Sequence, residues 1–195
     1  MNTKFLFIDI ETTGLPESDR ISNENLDLWP NIIQMSWIVT DSNGKILKQE
    51  DYLVTQHNFK FDNFTNRIHK HKIAKSKTHG THIRKILSRI DSDFKKVQVI
   101  IGHNIEFDLK MLKVEYLRNG FKENFLDKIH FCTMINTIRF CEFKNENGGF
   151  KFPKLSELNM KLFNNNLEKE YNSIVNVKSI CNCFWELNYR SEIVF

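Results

Sequence analysis

Two periodicities alternate along the chain and outline its elements. Lys4-Phe-Leu-Phe-Ile-Asp-Ile10 is a short β-favouring run, apolar on both of its sides until Asp9, and predicts a buried central strand. Ile32–Val39 predicts a second strand; Asp41-Ser-Asn-Gly44 supplies a turn, and Lys45–Thr55 returns as a third, completing a hairpin. The period then lengthens. Thr81–Phe94 reads as a helix with Ile83, Ile86, Leu87 and Ile90 on one face. Val97–Ile101 predicts a fourth strand, and Asn104 the cap of a helix that carries Ile105, Leu109, Leu112 and Tyr116 and ends at Asn119-Gly120. Ile129–Cys132 predicts a fifth strand. Leu155–Phe163 and Asn176–Leu187 read as helices, the second with Val177, Ile180, Cys181, Phe184 and Leu187 on one face, and Glu142–Gly149 as a polar loop. No repeat or interdomain linker interrupts this order. It fits one α/β domain over residues 1–195, a mixed sheet flanked by helices on both faces.

Composition narrows the picture without redirecting it. A length of 195 residues suits one domain and allows a sizeable core. Seventeen Phe against seven Gly and three Pro exclude a disordered or fibrous chain. The apolar run Phe5–Ile8 is cut off by Asp9 and Glu11, too short for a signal segment or a membrane span. Cys132, Cys141, Cys181 and Cys183 form no C-x-x-C and read as reduced thiols of a cytoplasmic protein.

Charge says more. The net charge is only +4, yet residues Gln56–Lys96 carry eleven Lys/Arg against three Asp, a balance of +8 that leaves −4 for the rest. Five of the seven His (His57, His69, His71, His79, His82) fall in the same stretch. Such clustering suits contact with a phosphate backbone, and it equally suits a solvated helix face.

The candidate chemistry begins at Phe7-Ile-Asp9-Ile-Glu11-Thr-Thr-Gly14-Leu15-Pro16. Asp9 and Glu11 stand two apart, so on an extended strand both carboxylates face one side. Two adjacent carboxylates repel and resist desolvation unless a cation lies between them, and Mg2+ or Mn2+ prefer such oxygen ligands. A bare D-x-E is more often a solvated strand end. A second motif, Ile101-Gly-His103-Asn104-Ile-Glu-Phe107-Asp108, runs from a strand end into a helix and sets Asp108 on its first turn, where an acid also favours the helix dipole. Taken together, the two motifs closely resemble those of the DnaQ-like, DEDDh family of 3′–5′ exonucleases. Cys132-Thr-Met134 and Pro153-Lys-Leu155-Ser-Glu-Leu158 resemble the family's following segments in order, so the resemblance runs from about Lys4 to Leu187 and is loose only between Gln56 and Lys96.

That resemblance implies a ribonuclease-H-like fold with a mixed five-stranded sheet and two-metal hydrolysis of the terminal phosphodiester, the ions roughly 3.5–4 Å apart. It gives Asp9 the place between both ions, Glu11 the water-activating ion and Asp108 the second ion. It sets Thr12, Gly14, Leu15, His103 and Asn104 against the nucleic acid. The third motif departs from the pattern. Where the family reads H-N-x-x-x-D-V-x-A-T, this chain reads Tyr171-Asn172-Ser-Ile-Val-Asn176-Val177-Lys178-Ser179-Ile180. Tyr171 therefore stands at the general-base position and Asn176 at the last metal ligand. A sister subfamily uses Tyr as Y-x-x-x-D, one residue shorter, so this is a substituted His motif.

Asn176 keeps an acyl oxygen without its charge, which lowers the set from four carboxylates to three at the water-activating ion. A phenol titrates near ~10 and is a poor base at neutral pH. Loss of such a partner costs about 10²–10⁴-fold, and a missing metal ligand compounds it without adding simply. Glu168 or Glu170 as a replacement ligand, or Asn176 ligating Mn2+ through its oxygen, would preserve activity. Asp→Asn is also a change made to trap a substrate, but Lys178 and Ile180 depart from the pattern as well. Ile68-His69-Lys70-His71-Lys72 replaces the family's I-H-G-I-T-like segment and adds positive charge. The expectation is a protein that binds single-stranded DNA or RNA 3′ ends, alone or in a larger nucleic-acid-processing complex and away from membranes. Its Mg2+ or Mn2+ complement falls from two to one or none, with catalysis weakened or lost. The alternative is an active metal-dependent 3′–5′ exonuclease on DNA or RNA.

Overall fold

Residues 3–17, 20–22, 24–55, 59, 61, 63–167 and 171–193 are described by a computed structural model. In order they form β1 (Phe5–Thr12), a single 3-10 turn (Leu26–Leu28), β2 (Ile32–Thr40), β3 (Ile46–Leu53), α1 (Asn63–His79), α2 (Ile83–Phe94), β4 (Val99–Gly102), α3 (Ile105–Asn119), β5 (Ile129–Cys132), α4 (Thr133–Asn136), α5 (Ile138–Cys141), α6 (Leu155–Phe163) and α7 (Ser173–Tyr189). The five strands make one sheet in the order β3-β2-β1-β4-β5. β2 lies antiparallel to both β1 and β3, whereas β4 lies parallel to both β1 and β5. This is the mixed, helix-flanked sheet expected.

β1 explains why its apolar run is continuous. Leu6, Ile8 and Ile10 join Met35 and Trp37 of β2 in a core closed by Ile86, Leu87 and Ile90 of α2 and by Met111, Leu112 and Tyr116 of α3. Phe5 and Phe7 turn to the opposite face, where Leu158 and Leu162 of α6 and Val177, Ile180 and Phe184 of α7 cover them. The ring of Phe184 lies 5.8 Å from Phe5 and 5.4 Å from Phe7. Each such side chain, fully buried, contributes about 1.5–3 kcal/mol. Asp9 and Glu11 continue the odd-numbered series, so the pleat aims them at the α7 face. The carboxyl ends of the parallel pair β1 and β4 lie side by side, the position where open α/β sheets bind ligands.

Several expected boundaries move for identifiable reasons. Thr81 bridges to Val54 instead of opening α2, its N–H donating to the Leu53 carbonyl at 2.8 Å. His82 then caps that helix, its ring nitrogen accepting from the Arg84 N–H at 3.3 Å. Asn104 occupies the N-cap position of α3 as expected, but in a left-handed conformation (φ 72°) and without a side-chain cap hydrogen bond. Gly120, also left-handed, ends α3 as anticipated. α7 starts at Ser173, three residues before Asn176, because hydroxyl and amide contacts rather than apolar ones hold its first turn. α1 has no counterpart in the apolar pattern: its buried residues are Thr65, His69 and Ser76. The four cysteines are free and buried, and burial pushes the Cys181 and Cys183 thiols up to about 12. No described helix is long and apolar enough to cross a membrane.

Candidate active site

Asp9 and Glu11 leave β1 on one side, and the first turn of α7 brings Asn176 to both. The Asn176 amide nitrogen donates to Asp9 Oδ2 at 3.2 Å and to Glu11 Oε1 at 3.3 Å. Two carboxylates only accept, so the amide must present its NH2 to them. Asp108 comes from the first turn of α3 and is buried, its Oδ1 accepting the Ile10 N–H at 3.1 Å. Burial first, then the negative charge of Glu11, pushes the Asp9 carboxyl up to about 8 against the Asn176 hydrogen bond and the pull of Lys72. Burial and the charge of Asp9 hold Asp108 well above the usual carboxylate range, against its backbone hydrogen bond. Three acids are thus concentrated where water compensates them poorly.

A polar truss fixes Asn176. Ser36, paired with Asp9 in the β1–β2 register, donates to Asp51 Oδ1 at 2.7 Å. With its hydrogen so used, Ser36 accepts from Ser173, whose hydroxyl lies 2.6 Å away. Gln34, paired with Glu11, donates to Asp51 at 2.8 Å and to the Asn172 side chain at 3.1 Å. The sheet therefore grips the residues just before and at the start of α7. Tyr171, immediately upstream, takes a left-handed φ of 65°, which costs a non-glycine residue about 1–2 kcal/mol. Its ring stands edge-on to Phe64 at 5.8 Å and to His69 at 6.4 Å.

α1 supplies side chains that the motifs did not assign to the site. His69 is 2% exposed and sets Nε2 3.5 Å from Glu11 Oε2. Lys72, one turn on, donates from its ammonium to the Tyr171 carbonyl oxygen. Burial lowers the Lys72 pKa, against attraction from Glu11, Asp51 and Asp9. Thr65, His69, Lys72 and Ser76 follow one another by four, three and four residues, a single helical stripe. That spacing is visible in the sequence once polar residues are allowed to mark a buried face.

The structure brings Asp9, Glu11, Asp108 and Asn176 together, with Tyr171 at the rim on the side of α1. Thr12 donates to the Gly14 carbonyl at 2.7 Å and shapes the turn that leaves Leu15 81% exposed. His103 spends both ring nitrogens inside the protein. Nε2 faces the Pro153 carbonyl at 2.9 Å and must donate, while Nδ1 lies 3.0 Å from the Thr133 hydroxyl, whose single hydrogen is shared with the Gly102 carbonyl at 3.2 Å. Burial lowers its pKa to about 4. Asn104 is exposed beside it. Glu168 and Glu170 lie outside the described residues.

Asp9, Glu11 and Asp108 are the carboxylates that the site could offer a divalent ion. Asp9 and Asp108 offer oxygen ligands whose charged forms burial disfavours, offset in part by the Asn176 amide and Lys72 at Asp9 and by the Ile10 N–H at Asp108. The Asn176 amide is shared by Asp9 and Glu11, and His69 in addition faces Glu11. Among the described residues no group of three or more His, Cys, Asp or Glu is arranged to hold an ion.

This sheet order, with clustered acids at the ends of β1 and α3, defines a ribonuclease-H-like exonuclease fold of the DnaQ type. A family model described as RNase_T, exonuclease, matches residues 6–169, and the chain belongs to that family. The matched range stops two residues before Tyr171. No curated protein sequence matches. Among solved structures, Escherichia coli exonuclease I with a dA16 oligonucleotide is similar at TM-score 0.75 and 19% identity, over 96% of this chain and 41% of that one. Its complex with a 5cy-dT13 oligonucleotide gives 0.76 and 18%, over 97% and 41%. The zinc-bound form of its single-stranded DNA complex gives 0.73 and 20%, over 97% and 41%. The chain therefore spans about two-fifths of the length of these structures.

Proposed function

We propose that this protein holds the 3′ end of single-stranded DNA or RNA in an exonuclease cleft and hydrolyses it slowly or not at all. The observation that carries this reading is the Asn176 amide, which bridges Asp9 and Glu11 where the family places a carboxylate. Exonuclease I, similar in fold, forms complexes with dA16 and 5cy-dT13 oligonucleotides, which supports a single strand as the ligand class. Asp9 and Asp108 would hold a divalent ion, Mg2+ or Mn2+, which when bound supplies Lewis acidity toward a phosphate oxygen. Asn176 neutralises the Asp9–Glu11 pair with hydrogen bonds instead of a second ion. Tyr171, at the base position, offers a phenol in place of the imidazole that serves the family as proton acceptor. Leu15, exposed at its turn, presents an apolar surface to a terminal base.

A second reading, an active metal-dependent exonuclease, is favoured by the raised Asp9 and Asp108 carboxyls, which create demand for a cation. One experiment separates the two. A 5′-labelled single strand with a free 3′ end should bind more tightly than the same strand circularised. It should lose nucleotides slowly or undetectably in Mg2+ and in Mn2+. Rapid stepwise digestion, abolished by Asp9→Ala, would establish the second reading instead.

A further inference from the structure

α1 covers the acidic site with an unusual face. Its buried residues are all polar, with His69 2% and Ser76 0% exposed, and none of its large apolar side chains is buried. A helix normally docks through an apolar stripe. This one meets the sheet edge through Thr65, His69, Lys72 and Ser76, and the groups opposite are Glu11, Asp51 and Asp9. His69 Nε2 approaches Glu11, whereas its buried Nδ1 has no hydrogen-bond partner among the described residues. The Lys72 ammonium is anchored on the carbonyl of Tyr171, one of the two positions at which the third motif departs from its family.

We propose that Lys72, assisted by His69, is a resident cation that takes the place of a second divalent ion at the Glu11–Asn176 half of the site. Three observations converge on this half: it lacks a carboxylate at residue 176, it has an amide donating toward both acids, and α1 covers it with His69 3.5 Å from Glu11 and with Lys72, whose ammonium donates to the carbonyl of Tyr171. A divalent ion placed there would meet an ammonium instead of a fourth carboxylate. The substitution is coordinated, because removal of one negative charge at Asn176 accompanies delivery of a positive one from α1. The same ammonium is positioned to meet the terminal phosphate of a strand held by Asp9 and Asp108, as a point charge with rotatable donors.

The inference rests on reading this cleft as an exonuclease-type site, but its readout needs no nucleic acid. Bound Mn2+ per chain is counted by electron paramagnetic resonance on the full chain. The unmodified protein should hold one ion up to low millimolar Mn2+, and Asp9→Ala should lose it. Asn176→Asp should admit a second ion only weakly. Adding Lys72→Gln to Asn176→Asp should tighten that second ion at least tenfold, whereas adding Lys72→Arg should not. Lys72→Met, which keeps the apolar stem, should act like the glutamine variant and excludes loss of helix packing as the cause. Two tightly bound ions in the unmodified protein, or equal second-ion affinity with and without Lys72, would overturn the assignment. The digestion assay stands apart. A one-ion protein that digests rapidly refutes only the impaired-catalysis reading, and a slow protein whose ion count ignores Lys72 refutes only this one.

Discussion

At Asn176, exchanging one oxygen for an NH2 reverses what the site requires. An aspartate there would crowd a further charge against Asp9 and Glu11, whereas the amide satisfies both at 3.2 and 3.3 Å. This was partly legible in the sequence, since position 176 could be aligned by Asn172 and Val177. The direction of the amide could not be read until both acceptors were placed. His103 shows the converse. Its motif suggested a nucleic-acid contact, but its ring nitrogens are committed to Pro153 and Thr133. Its folded pKa of about 4 lies below the ordinary 6.5, so the unfolded chain binds a proton more readily between those values. Its contribution to stability is complete above about pH 6.5 and declines as the pH falls toward about 4, by roughly 3 kcal/mol in all. Urea denaturation of the native protein and of His103→Gln should show this as a difference in pH slope confined to that window. Parallel slopes would mean that His103 does not titrate as described.

Among the elements, β1 and α3 were easiest to foresee and α1 hardest. The strand announces itself by apolar residues on both faces, and α3 by a Gly120 stop. α1 escaped notice because its inward stripe is polar and its outward face is basic, so neither period-3.6 apolarity nor a cap marks it. The charge cluster of Gln56–Lys96 thereby divides in two. His69 faces Glu11 and Lys72 the Tyr171 carbonyl, while Lys70, Lys75 and Lys77 are exposed. Changing those three exposed lysines to Glu should weaken binding of a single-stranded oligonucleotide and reduce the slope of log K against log salt by up to ~2, at about 0.7 per lost phosphate contact. Fluorescence anisotropy from 50 to 200 mM salt would measure it. An unchanged slope would leave the outer face of α1 as solvated surface.

Across the whole molecule, two apolar clusters lie on opposite sides of one sheet and share β1, whose neighbours Phe7 and Ile8 belong to different clusters. Residues 1–195 are therefore expected to unfold as a unit. Leu112→Ala in one cluster and Leu158→Ala in the other should each cost about 2–5 kcal/mol while keeping circular dichroism and tryptophan fluorescence coincident. A split transition in either variant would mean two independent halves. The same shared strand bears on how the chain is made. Asp9 meets Asn176 across 167 residues of sequence, and the Phe7 ring waits for Phe184 of α7. Contacts so distant close late, after most of the chain has been synthesised. Until then Phe5 and Phe7 form an apolar strip on an incomplete sheet, the kind of segment that recruits other chains. Asp9 and Glu11 sit at its end as gatekeepers, breaking the strip with charge. The same two charges that crowd the folded site thus interrupt, in the unfinished chain, the apolar run that precedes them.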